Sequence, residues 1–225
     1  MLTESILNYF ENFKSKAKIE ISLFIKNIKN IFICIFCLVY IASAIGRNLA
    51  YYRSDPNQRL KDLGFDIIPE ISPNLKLISE VIIFINHFIG ISILFSPLIY
   101  KPMINNLSTI LIGKRVLNIL SIGHIIRLIM YLSTSLPSPA THCLPESNSF
   151  NSPSSLKEVF TRFSTFNDLN CGDLIFSGHM FQNLSFTFVT FLYSPKILDK
   201  NISIILSILQ ILNSISQIYF ILAAR

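Results

Sequence analysis

An all-α, polytopic bundle of transmembrane helices is the fold class that this sequence of 225 residues predicts. Hydrophobic residues make up 51% of the chain and charged residues only 14%, whereas soluble domains carry about 25% charged residues. The mean hydropathy is +0.53. Several apolar runs also approach the ~20 residues that cross a bilayer as a helix, in which every backbone group can be hydrogen-bonded internally.

Residues 1–30 are predicted to form an N-terminal cytosolic segment of amphipathic character. Apolar residues recur there at helical spacing, as at Ile6, Phe10 and Phe24, and lysines fill other positions. One interpretation is a cytosolic helix that leads into the membrane. The other is a helix that lies in the membrane interface and binds anionic lipid. Residues 31–225 form the second region, the transmembrane domain.

About five spans follow from the apolar runs of that domain. They are Ile31–Gly46, Val81–Ile99, Val116–Leu136, Leu174–Leu192 and Ile202–Ala224. Lysine and arginine cluster before the first span, between the second and third, and between the fourth and fifth, so these regions should be cytosolic. This topology explains the net charge of +6 better than a nucleic-acid partner does, and we expect no nucleic acid to bind.

The loops after the first and third spans then face the lumen or the exterior, which places the stretch "CGDLIFSGHM" at the lumenal mouth of the fourth span. Ser177 and Gly178 lie near the start of that helix, where unpaired N–H groups suit a phosphate. His179 can carry a proton near neutral pH, and Asp173 could orient a histidine. Taken alone, the stretch favours a simpler interpretation, a helix cap and polar anchor.

Arg127 changes this balance because it lies inside the third span, where ionisable residues are costly and tend to face a site or a partner. An arginine, a histidine and a helix start at one membrane face predict a phosphate site. His124 could be a second ligand, but a hydrogen-bonded structural role is favoured for it and for His87.

The four cysteines fall into two pairs. Cys143 and Cys171 bracket the second lumenal loop, where they could form a disulfide or stay free thiols, and the sequence leaves both open. Cys34 and Cys37 lie within the first span and are read as small apolar side chains. No four-ligand metal set is evident, and neither a metal nor another cofactor is expected.

The stretch "CGDLIFSGH" resembles the third signature motif of the sphingomyelin synthase family. Members of this family are lipid phosphotransferases related to the lipid phosphate phosphatases. The family's second motif is matched in part. Arg115, Arg127 and Thr134 fall at its spacings, while Lys114 and His124 are substitutions. The segment "TSLPSPATHC" is similar to the family's Thr-x-Leu-Pro-x-Pro segment, and the pieces occur in the family's order.

The resemblance implies an enzyme that moves phosphocholine, or another headgroup, from a glycerophospholipid such as phosphatidylcholine to ceramide, giving sphingomyelin or an analogue and diacylglycerol. It implies that His179 is the acid–base histidine and that Arg127 binds phosphate, supported by Asp173, Ser177 and Gly178. Family members have six spans, look metal-independent, reside in the Golgi or plasma membrane, and act on the lumenal or extracellular face. A homo-oligomer is left open.

The nucleophilic histidine and its aspartate belong to a fourth motif of that family, His-Tyr-Thr-x-Asp, which the 225 residues do not contain. The chain therefore resembles a six-span enzyme lacking its last helix, and we expect it to be inactive or very slow in isolation, because covalent transfer needs both a nucleophile and a proton donor. Two alternatives are a lipid phosphate phosphatase and a non-catalytic membrane protein that binds lipid or a partner helix.

Overall fold

The computed structural model of the protein consists mainly of helices, and seven of them make up most of the described chain. The described residues are 2–28, 32–55, 73–99, 108–135, 143, 146–147, 152–162, 171 and 177–223. Numbered in chain order, the helices are α1 (Leu2–Ile28), α2 (Phe32–Arg53), α3 (Pro73–Ile99), α4 (Thr109–Thr134), α5 (Leu156–Thr161), α6 (Gly178–Ile197) and α7 (Lys200–Ala223). The predicted all-α bundle is confirmed.

Among the described residues, four helices are long and apolar enough to cross a membrane. These stretches are Ile33–Arg53, Leu77–Ile99, Thr109–Thr134 and Lys200–Tyr219. They correspond to the first, second, third and fifth predicted spans. The fourth predicted span corresponds to α6, whose 20 residues would rise about 30 Å, but it is not among these four. Polar residues such as His179, Gln182 and Asn183 lower its apolar content.

Apolar side chains lie both inside the bundle and on its outside. A buried cluster joins α3, α4 and α6 through Ile93, Ile112, Val116, Leu120, Val189, Tyr193 and Ile197. Outward-facing apolar residues are just as prominent, as with Phe84 at 70% exposed. Such a surface is compatible with lipid rather than water around the helices.

Polar contacts hold α6 and α3 against α7. The hydroxyls of Thr187 and Ser214 lie 3.0 Å apart, and the Gln210 side-chain amide donates to the Asn86 carbonyl over 3.2 Å. All four residues are buried. Polar side chains stabilise helix pairs in a membrane through such bonds, because the alternative partner is hydrocarbon. Thr187 is one of the polar residues that lower the apolar content of α6, and its hydroxyl is paired inside the protein.

The start of α4 is closed by a carboxylate from α1. Ser108 is the N-cap of α4, and its hydroxyl donates to Glu20 over 2.9 Å. The backbone N–H groups of Thr109 and Ile110 also donate to Glu20, each over 3.1 Å. Glu20 is thereby buried and α1 is held to the bundle, while apolar residues such as Phe10 stay exposed. The cytosolic position of the segment 1–30 stays a prediction.

At the opposite end of the bundle, two short contacts hold the segments near the start of α6. A disulfide joins Cys143 to Cys171, with a Cα–Cα distance of 5.8 Å, and both cysteines pack against Tyr51 of α2. The side-chain amide of Asn48 donates to the carbonyl of Val159 in α5 over 3.2 Å. Both contacts attach these segments to the last turns of α2.

Candidate functional site

A cavity of about 230 Å³ lies where the second halves of α2 and α4 meet the first turn of α6. Its lining combines aromatic, cationic and small polar side chains with two histidines. The lining residues are Tyr40, Ser43, Ala44, Arg47, His124, Arg127, Tyr131, Gly178, His179 and Gln182. Three of the residues predicted for the site, Arg127, Gly178 and His179, are therefore brought together.

Arg127 packs directly against the first residue of α6. A Cβ added at Gly178 would lie only 2.8 Å from Cζ and 2.9 Å from Nη2 of Arg127, closer than such atoms approach. Glycine at this position therefore lets the guanidinium reach the backbone of the helix start. Arg127 itself is only 7% exposed and lies 5.2 Å from the centre of the Tyr131 ring, a cation–π contact.

Ser177 precedes Gly178 and is the N-cap of α6, since its side chain accepts a hydrogen bond from the N–H of Met180 at 3.4 Å. It supports the helix start but does not line the cavity. His179 is exposed and faces the cavity from the first turn. Asp173, the remaining predicted residue, lies outside the described residues.

The depth of Arg127 follows from its helix. Arg127 lies seven positions before Thr134, the last residue of α4, which corresponds to a depth of about 10 Å below the helix end. The first residue of α6, Gly178, lies at the same depth, because it is in contact with the Arg127 guanidinium. The site therefore lies near one end of the bundle, the end that the sequence predicts to be lumenal.

His124 belongs to the cavity, contrary to the structural role favoured for it from the sequence. It is 4% exposed, its ring centre lies 5.3 Å from that of Tyr40, and its Nδ1 has no hydrogen-bond partner among the described residues. His87 differs, because its Nδ1 is 2.7 Å from the Ile83 carbonyl and its ring packs on Phe186. The structural interpretation fits His87.

The contribution of α2 was missed in the sequence. Arg47, Ser43 and Tyr40 line the cavity, although the first span was predicted to end at Gly46. A signal was present: Ser43, Gly46 and Ala50 recur at i, i+3 and i+7, and all three are buried on one face of α2. Such small residues let helices approach closely, which predicts a packed neighbour beside Arg47.

The charge of the cavity favours an anion. It contains the two guanidinium groups of Arg47 and Arg127, together with the positive end of the α6 dipole, and its described lining includes no carboxylate. Within the described ranges, no group of three His, Cys, Asp or Glu side chains could hold a metal ion. The arrangement can therefore bind an anionic phosphate and place an imidazole beside it.

Glu158 of α5 is a carboxylate near this end of the bundle. The pKa of Glu158 is lowered to about 2, first by the backbone N–H of Ser154, then by the Ser154 hydroxyl and by Arg162. The Glu158 carboxylate is hydrogen-bonded to these neighbouring groups, and Glu158 does not line the cavity. It stabilises the short helix α5 rather than the site.

Comparisons with known proteins agree with the motifs. Residues 170–225, which include all of α6, match the family model described as PAP2 superfamily C-terminal. A phosphatidylinositol:ceramide inositolphosphotransferase of Oryza sativa subsp. indica is 34% identical over 166 residues, covering 71% of this chain and 49% of that protein. No solved structure matches the chain.

Two relatives from Arabidopsis thaliana are similar over longer stretches. Phosphatidylinositol:ceramide inositolphosphotransferase 2 is 33% identical over 182 residues, covering 79% of this chain and 57% of that protein. Phosphatidylinositol:ceramide inositolphosphotransferase 3 is 28% identical over 203 residues, covering 87% of this chain and 68% of that protein. The chain thus spans about half the length of the Oryza relative and of inositolphosphotransferase 2. It is homologous to the phosphatidylinositol:ceramide inositolphosphotransferases, and its residues 170–225 match the PAP2 superfamily C-terminal model.

Proposed function

We propose that this protein takes part in ceramide phosphotransfer, in which a headgroup phosphate moves from a glycerophospholipid to the primary hydroxyl of ceramide. The observation that carries the proposal is the meeting of Arg127, the α6 start at Gly178 and His179 in one cavity near one end of the bundle. Cations and a helix start suit the phosphate, and the imidazole suits proton transfer.

The donor we propose is phosphatidylinositol. The motif resemblance implied phosphocholine or another headgroup, and the relatives that match are named inositolphosphotransferases, which supports inositol phosphate as the headgroup that moves. The lumenal or extracellular orientation, the Golgi or plasma membrane location and a homo-oligomer stay predictions. Phosphatidylinositol, ceramide and the product diacylglycerol are the membrane lipids that we expect as partners.

In the proposed reaction, Arg127 and the N–H groups at the start of α6 bind the phosphodiester and stabilise the charge that develops on its oxygens. A nucleophile forms a bond to phosphorus while the bond from phosphorus to the diacylglycerol oxygen breaks. His179 gives its proton to that oxygen. His179 then takes the proton of the ceramide hydroxyl, whose oxygen attacks phosphorus and displaces the nucleophile.

The resemblance assigns the nucleophile to the His-Tyr-Thr-x-Asp motif, which the 225 residues do not contain. Free imidazole can replace a nucleophilic histidine, so we propose chemical rescue as the test. The chain is reconstituted in phosphatidylinositol vesicles with fluorescent ceramide and millimolar imidazole, and the release of diacylglycerol and the labelled product are followed.

We expect imidazole to raise both products for the wild-type chain, and the variants His179→Ala and Arg127→Gln to abolish the increase. Arg53→Gln is the matched control, because Arg53 lies on α2 near the same end but is exposed and does not line the cavity. Products that are unchanged by both site variants would refute the assignment. Release of the phosphorylated headgroup to water, independent of ceramide, would favour a lipid phosphate phosphatase instead.

A further inference from the structure

We infer that Arg47 selects the donor headgroup, by favouring a polyol over a quaternary ammonium group. The inference rests on the proposed function, since it assumes that a phospholipid headgroup enters the cavity. It concerns a residue that lies on α2, whereas the proposed phosphate site is formed by Arg127 of α4 and the start of α6. Arg47 is therefore placed to meet a second part of the same headgroup.

The guanidinium of Arg47 lines the cavity and forms no hydrogen bond or ion pair with another described residue. Its Nε is buried without an acceptor. A buried N–H without an acceptor is unfavourable, so a ligand that supplies an oxygen there gains binding free energy. Inositol hydroxyls are such oxygens.

His124 adds to this side of the cavity. Its ring lies against Tyr40, which is seven residues before Arg47 on α2, and its buried Nδ1 also has no described partner. A neutral imidazole offers one donor and one acceptor, and a hydroxyl can use both. The Arg47 Nε and the His124 Nδ1 thus both lack a described hydrogen-bond partner in this cavity, and the hydroxyls of a polyol could bond to both.

A choline headgroup would meet an unfavourable environment in the same cavity. Its fixed positive charge would lie near the Arg47 guanidinium, and the described lining offers no carboxylate to offset this repulsion. Quaternary ammonium groups are usually bound over aromatic faces. Here the Tyr131 ring already packs on Arg127, and the Tyr40 ring packs edge-to-face with His124.

The test is a lipid-retention experiment on the full 225-residue chain. The protein is purified from vesicles of equal phosphatidylinositol and phosphatidylcholine content, and native mass spectrometry gives the ratio of the two bound lipids. We expect the wild type to retain phosphatidylinositol preferentially, and Arg47→Gln to lower the ratio about tenfold, the effect of roughly one hydrogen bond to a charged group. Arg47→Glu should lower it further, because a carboxylate attracts choline.

Two variants separate this inference from the proposed function. Arg53→Gln should leave the ratio unchanged, and Arg127→Gln should reduce the retention of both lipids together. If Arg127→Gln has no effect, the phosphate site is wrong. If Arg127→Gln reduces both lipids and Arg47→Gln leaves the ratio unchanged, the phosphate site stands and the role of Arg47 is overturned.

A measurement on the wild type covers the case in which the Arg47 variants do not fold. Soluble glycerophosphoinositol and glycerophosphocholine are used to displace bound lipid from the purified chain. The inference predicts that glycerophosphoinositol displaces lipid at roughly tenfold lower concentration. Equal potency of the two compounds, or stronger displacement by glycerophosphocholine, would contradict it.

Discussion

Two helix starts at opposite ends of the bundle are built alike and used differently. Each has a serine as N-cap, Ser108 for α4 and Ser177 for α6, and each serine accepts a hydrogen bond from the N–H three residues later. The α4 start is closed by the carboxylate of Glu20, which accepts three hydrogen bonds there. The α6 start instead lies against the guanidinium of Arg127.

This difference separates a structural helix start, that of α4, from the proposed binding start, that of α6. An anion of the chain neutralises the dipole at α4, which stabilises the fold. At α6, the Arg127 guanidinium lies directly beside the positive end of the dipole. Both would attract the phosphate of the proposed function. The variants below break or sharpen this contrast.

The largest expected effect concerns the disulfide that precedes the binding start. Cys143 and Cys171 are separated by 28 residues, and closing a loop of that length stabilises the folded state by roughly 3–4 kcal/mol in the chain-entropy model. The double variant Cys143→Ser/Cys171→Ser should therefore lower the thermal unfolding midpoint in detergent. Serine at the free Cys34 and Cys37 is the matched control and should leave the midpoint nearly unchanged. Equal shifts would contradict this account.

The structural start is tested by Glu20→Gln. The change removes the negative charge that accepts three hydrogen bonds, and we expect it to destabilise the fold by about 2 kcal/mol. Glu11→Gln, on the exposed side of α1, should have little effect. Thermal unfolding measures both, and lipid retention should be unchanged in Glu20→Gln. A loss of retention without a loss of stability would reverse the roles assigned to the two starts.

The binding start is tested by Gly178→Ala. Its methyl group would displace the Arg127 guanidinium from the α6 backbone, because a Cβ there would lie 2.8 Å from Cζ. We expect roughly tenfold weaker phospholipid retention with little change in stability, since the displaced group is the end of a flexible side chain. Gly113→Ala is the control, as its Cβ would meet no atom within 4 Å. Unchanged retention in Gly178→Ala would argue against the site.

Replacing the two N-cap serines should destabilise the fold by different, smaller amounts. Replacing an N-cap serine by alanine usually costs about 1 kcal/mol, which we expect for Ser177→Ala. Ser108→Ala should cost more, because the Ser108 hydroxyl also donates to Glu20. Unfolding of the two variants in the same detergent measures the difference. A larger effect at Ser177 would show that the two starts are not related as described.

The smallest effect is a pH dependence of α5. The pKa of Glu158 is lowered from 4.5 to about 2, so its charged form is stabilised in the folded state. This contribution is present above pH 4.5 and is lost as the pH falls through about 2. The protection factors for hydrogen exchange at residues 155–162, which correct for the intrinsic pH dependence of exchange, should fall across that window, and Glu158→Gln should remove the change. An equal fall in the Gln variant would exclude Glu158 as the cause.

The sequence predicted the four membrane-length helices of the described residues and three of the residues that line the cavity, for a physical reason. An arginine within an apolar run and a histidine after a serine and a glycine stand out because each is costly or unusual in a membrane. Arg47 did not stand out, because it lies after the predicted end of the first span, where basic residues are common. His124 was read as structural because one sequence cannot show whether a buried imidazole has a partner.

The length and polarity of α6 show a second limit. Its apolar content falls below that of the other spans because Thr187 and similar residues pair with α7, and this pairing depends on a helix that comes later in the chain. Periodicity along one helix does not reveal which neighbour satisfies its polar face. The closure of α4 by Glu20 was missed for the same reason, since 88 residues separate Glu20 from Ser108.

The most direct test of the central claim is an experimental structure of the chain in nanodiscs that contain phosphatidylinositol. We predict that the lipid phosphate lies between the Arg127 guanidinium and the N–H groups at the start of α6, with the His179 imidazole in contact with it. A phosphate bound elsewhere, or Arg127 and His179 at opposite ends of the bundle, would contradict the account.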